Sequence, residues 1–112
     1  MELEQRSEGN ITVLTAHEKR MDARCAPEFK DLVAKVVSSG RNRIVLNIAD
    51  VEFIDSSGLG AIVSSLKLVG TDGQLVISGV RDTVMSMFKL TRMDKVFDIF
   101  REESDAVAAI GH

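Results

Sequence analysis

The sequence has no tryptophan and no tyrosine, one cysteine, one proline and two histidines in 112 residues. Each scarcity removes a class of function. Nucleic-acid binding calls for a basic stripe and aromatic stacking residues. Here fourteen basic residues face seventeen acidic ones for a net charge of −3, and no Lys/Arg run accompanies stacking residues. Nucleic acid is not an expected partner. Cys25 cannot close an internal disulfide alone, and without a resolving cysteine it reads as a small, buried or half-buried helix residue rather than a redox centre. His17 lies among charges and His112 is the last residue, so neither has ligand spacing to a second His or Cys. No metal or other cofactor is expected. No apolar run exceeds about half a dozen residues, far below the roughly twenty that span a bilayer. Met1-Glu2-Leu3-Glu4 has neither the basic region nor the apolar run of a secretion signal. The expectation is a cytoplasmic protein without a membrane segment.

What is present is the balance of an ordinary folded domain, with 45% hydrophobic and 28% charged residues. At this length one domain, residues 1–112, buries about two-thirds of the unfolded surface. Leu3 to Arg6 reads as a polar edge strand, Gly9-Asn10 as a turn, and Ile11 to Thr15 as a β-branched strand, together an N-terminal hairpin. His17 to Arg20 is a solvated, charged stretch. Pro27 suits the first turn of a helix. There Phe29, Leu32, Val33, Val36 and Val37 form one apolar stripe, Lys30, Asp31, Lys35 and Ser38 face water, and Gly40 ends the helix. Ile44 to Ile48 is nearly all apolar, as in a strand covered on both faces of a parallel sheet, and strand, helix, strand implies a right-handed crossover. After the loop Asp50-Val51-Glu52, Phe53 and Ile54 are expected to point into the core.

A second helix runs from Asp55 to about Gly70. Its inner face is Leu59, Ile62, Val63, Leu66 and Val69, and its outer face is Ser57, Ala61, Ser64 and Leu68. Thr71-Asp72-Gly73 turns into a strand at Leu75 to Ile77. Val84, Met87 and Phe88 mark a third helix, Val96 to Phe100 a last edge strand, and Glu102-Glu103-Ser104 opens a closing helix through Val107, Ala108 and Ile110.

Chemistry concentrates in Asp55-Ser56-Ser57-Gly58-Leu59-Gly60, where two hydroxyls and a carboxylate meet a helix N-terminus that favours negative charge. Two readings of Ser56 stand side by side: a helix N-cap, or the acceptor of a regulatory phosphate. Gly58 and Gly60 each cost a helix roughly 1 kcal/mol against alanine; on the second reading they thin the surface around the hydroxyl and let a partner approach. Asp55 is either a turn carboxylate complementing the helix dipole or a recognition element. Leu68 is either an ordinary exposed leucine or part, with Ser57, Ala61 and Ser64, of a docking face. Enzyme signatures are missing: there is no Gly-x-Ser-x-Gly, no well-placed histidine base, no Walker lysine, and Gly58-Leu59-Gly60 lacks the third glycine of a dinucleotide fingerprint.

In this setting Phe53-Ile54-Asp55-Ser56-Ser57-Gly58-Leu59-Gly60 resembles the STAS domain of anti-sigma-factor antagonists. The likeness extends over nearly the whole chain, through Asn10 to Val13, Met21-Asp22-Ala23 and Val84 to Phe100. It departs at Lys19, where the family commonly has glycine. The resemblance implies an α/β fold, a single STAS-like domain with a mixed four- to five-stranded sheet packed with about four helices. It further implies a bacterial, non-enzymatic, partner-switching regulator of transcription. Its partners would be an anti-sigma factor or switch serine kinase, which phosphorylates Ser56, and a serine phosphatase. Apart from the resemblance, the oligomeric state stays open, with monomer favoured. Asp22 is expected either to lie beside the switch serine or to cap the first helix, and Ser57 and Gly58 flank the site. The alternative is a structural STAS subunit of a larger sensory complex with no phosphate cycle.

Overall fold

Alternation along the strands decides which side of the sheet each residue serves. In the computed structural model, which describes residues 1–110, β1 (Leu3–Glu8) and β2 (Ile11–Ala16) form the expected antiparallel hairpin. Gly9 supplies the positive φ of its turn, +64°. A two-residue strand β3 (Arg20–Met21) precedes α1 (Ala26–Ser38), which leads into β4 (Arg43–Asn47). After it come β5 (Phe53–Ile54), α2 (Ser56–Val69) and β6 (Gln74–Ser78). The chain closes with α3 (Asp82–Leu90), a 3₁₀ turn at Met93–Lys95, β7 (Ile99–Phe100) and α4 (Glu103–Ile110). The main sheet has five strands in the order β1-β2-β4-β6-β7, parallel except for β1.

Leu14, Ile44, Leu46 and Ile77 lie on one face of this sheet, packed with Phe29, Ile62 and Phe88 of α1, α2 and α3. Their neighbours Val13, Val45 and Val76 lie on the other, under Ala106 and Ile110 of α4. Strands so covered on both sides read as continuous apolar runs. An ionic tie seals α4 to the sheet. Glu103 accepts from Arg6 Nη2 at 2.6 Å and Asn47 Nδ2 at 3.0 Å, and these bonds, the Asn47 one first, hold its carboxyl below the usual range.

Three expectations are corrected. The stretch before α1 is not merely solvated: Arg20 and Met21 pair in parallel with Phe53 and Ile54, a second, two-stranded sheet. Phe53, expected inward, is 42% exposed, because successive strand residues face opposite sides and Ile54 takes the inner one. Arg20 covers the ring from 4.3 Å. Only Ile99–Phe100 of the predicted last strand pairs; Arg92 adopts a left-handed φ of 61° and starts the 3₁₀ turn, which leaves Val96 exposed and Phe97 buried. No helix among the described residues is long and apolar enough to cross a membrane. His112 lies outside the described residues.

Candidate functional site

The first turn of α2 is fixed by its own sequence and by β3. Asp55, not Ser56, is the N-cap: it is extended, and its Oδ1 accepts from Gly58 N–H at 2.9 Å. Its own N–H donates to Met21 C=O at 3.2 Å. That carbonyl explains Gly58. A Cβ on Gly58 would sit 2.1 Å from Met21 O, so glycine is required for close approach of two backbones. This replaces the expectation that Gly58 thins an exposed surface, since Gly58 is buried. Gly60 does conform: it is exposed, and a Cβ there meets nothing within 4 Å.

With the cap assigned to Asp55, Ser56 and Ser57 occupy the first two helical positions, both exposed. Neither hydroxyl has a hydrogen-bond partner among the described residues. Their N–H groups belong to the helix start, which has no intrahelical acceptors for them. They open onto a groove of about 380 Å³ between α1 and α2. One wall is Ala23, Ala26, Pro27 and Lys30, and the other is Ser56, Ser57, Gly60 and Ser64.

Ala61 is a correction. It was expected on the exposed face, yet it is 2% exposed and lies at the groove floor. A single helical wheel predicts one buried face, but α2 is covered twice, by the sheet and by α1 alongside it. Ser65 is buried for the same reason and bonds back to Ala61 C=O. Ser57 and Leu68 remain exposed and Ser64 half-exposed, so three of the four predicted docking residues are accessible.

Asp22 belongs to the neighbouring turn. Its Oδ1 accepts from Arg24 N–H at 3.0 Å, and its Oδ2 pairs with Arg20 and Arg24. Its backbone C=O accepts from Cys25 and Ala26, and Cys25, without a side-chain bond to the helix, is the N-cap of α1. Its carboxylate lines a separate cavity with Lys19 and Arg24, and among the described residues it has no bond to Ser56. The structure thus brings Met21, not the Asp22 carboxylate, against the motif. The Lys19 departure is absorbed without strain, as Lys19 C=O accepts from Glu52 and Phe53 and Arg92 alone among the described non-glycine residues has positive φ.

Electrostatic perturbation lies elsewhere. His17 is bridged between Glu4 at 2.7 Å and Asp50 at 3.1 Å, and these bonds, the Glu4 one first, raise its pKa. It does not line the groove. The sequence does not place Met21 against the motif, which depends on the unpredicted ribbon; Lys30 faces water as expected and also lines the groove.

Comparison with known proteins bears on the whole chain. A family model described as STAS domain matches residues 2–106. The anti-sigma-B factor antagonist of Staphylococcus aureus (strain NCTC 8325 / PS 47) is 29% identical over 80 residues, 70% of this chain and 74% of that protein. A Thermotoga maritima crystal structure, assigned as an anti-sigma factor antagonist, superposes with a TM-score of 0.91 at 27% identity, covering 98% of this chain and 95% of that one. An anti-sigma factor antagonist from Mycobacterium paratuberculosis shares the fold, with a TM-score of 0.90 at 20% identity over 99% and 94% of the two chains.

Proposed function

Because the chain belongs to the STAS domain family, and its relatives are named anti-sigma factor antagonists, we propose that it is a partner-switching regulator controlled at Ser56. The unphosphorylated form binds an anti-sigma factor or switch serine kinase and so releases that protein's client. Phosphorylation of Ser56 blocks binding, and a serine phosphatase restores it. The protein acts as a cytoplasmic monomer, as substrate and ligand rather than as catalyst.

The observation that carries this reading is the Ser56 hydroxyl, exposed and unpartnered among the described residues on a helix start whose capping is done by Asp55. A serine relieved of the cap is available for modification without loss of the helix. Phosphate adds about −1.5 to −2 charge, beside Asp55 and on a chain already at −3. The loss of affinity then arises at the interface, and a hundredfold weakening requires only about 2.7 kcal/mol. Ser57, Ser64 and Leu68 form the accessible docking surface next to the switch, with Ala61 as the groove floor.

Incubation with ATP and a switch kinase, followed by mass-spectrometric mapping, is expected to place phosphate on Ser56 and none on Ser56→Ala. Stoichiometric phosphorylation of Ser56→Ala would overturn the assignment. In a binding assay Ser56→Ala should capture the partner constitutively, while Ser56→Glu and Leu68→Glu should weaken capture with thermal midpoints nearly unchanged. Equal loss of binding and stability in Leu68→Glu would make Leu68 a core residue. Unaltered binding by Ser56→Glu, with no phosphate incorporated into the wild type, would favour a constitutive structural subunit.

A further inference from the structure

Taking Ser56 as the phosphorylated residue, we propose that Lys30 of α1 is the counter-charge that receives the phosphate across the groove, a positioning residue for the modified state. Lys30 is the one ionisable side chain lining this groove; the remaining positions are alanine, proline, glycine and serine. It is exposed and, among the described residues, has no ion pair or hydrogen bond. The cations of the adjacent turn, Arg20 and Arg24, are instead turned to Asp22. Nothing bulky stands between the two walls, where Ala26 and Ala61 form a buried floor and the space above Gly60 is empty. A lysine ammonium on its flexible four-carbon stem is suited to follow a mobile anion over such a gap.

The direction is set by charge. On the cap side a phosphate on Ser56 faces the Asp55 carboxylate, which is held in place by Gly58 N–H. Repulsion there and attraction from Lys30 both draw the dianion into the groove. Phosphorylation then alters the docking surface twice: it adds negative charge, and it neutralises the single cation the groove presents.

The test uses the full chain with phosphoserine installed at position 56 by amber suppression, so that it does not depend on any kinase. Phosphorus-31 NMR titration reads the second phosphate pKa. An opposite charge nearby favours the dianion, so the wild-type value should lie about half a pH unit below that of Lys30→Gln. Lys30→Arg should retain the low value, and about 1 M salt should abolish the difference. Identical pKa values in wild type and Lys30→Gln would overturn the role of Lys30 and leave the Ser56 switch standing. Kinase mapping that excludes Ser56 would overturn the switch instead, and the two failures are separate measurements.

Discussion

The two sides of the first turn of α2 are built on opposite terms. Toward β3 every group is engaged: Asp55 N–H meets Met21 C=O, Asp55 Oδ1 holds Gly58 N–H, and Gly58 leaves no room for a side chain. Toward α1 the hydroxyls of Ser56 and Ser57 are exposed and have no partners among the described residues, and Gly60 faces open space. On the proposed reading of Ser56, this contrast holds the residue still while leaving its hydroxyl free. Rigidity comes from neighbours one position before and two positions after Ser56. The Ser56 side chain contributes no hydrogen bond to the frame among the described residues.

Substitutions that exchange the two sides test the contrast. The largest effect is expected for Gly58→Ala, where the added methyl meets backbone rather than a flexible side chain. Overpacking of this kind costs about 1–3 kcal/mol, and urea or thermal unfolding should show it. A stability equal to wild type would mean that β3 and α2 are not locked. Asp55→Ala removes the cap and should cost about 1 kcal/mol, whereas Asp55→Asn keeps an acceptor oxygen and should lose much less. Equal loss in both would assign the effect to charge instead of capping. The smallest change is Gly60→Ala, which should stabilise the helix by about 0.5 kcal/mol while weakening partner binding by narrowing the groove. Destabilisation by Gly60→Ala would show that the open side is packed after all.

How legible this was in the sequence depends on the length of the pattern. The stripe of Phe29, Val33 and Val36 and the runs at Ile44 and Leu75 repeat often enough to define helix and strand, and each was read correctly. The ribbon of Arg20–Met21 with Phe53–Ile54 was not, because two residues carry no period. From that omission followed the inward placement of Phe53 and the mistaken use of Gly58. Ala61 was misplaced because amphipathicity describes one covering surface and α2 has two. The motif and its resemblance pointed to Ser56 and Asp55, whereas the assignment of the N-cap to Asp55 required coordinates. Lys30 gave no signal, since one lysine on a polar helix face is indistinguishable from any other.

The bond from Asp55 N–H to Met21 C=O joins segments separated by all of α1 and β4, and that separation bears on when the site exists. Contacts between remote segments form only after the intervening loop has closed. During synthesis Met21 and α1 emerge first, and the site is complete only when Asp55 and Gly58 follow and the loop closes; a short peptide copy of the motif displays the same letters without the groove. An enzyme that reads the groove together with the hydroxyl acts on the folded chain and passes over the nascent one.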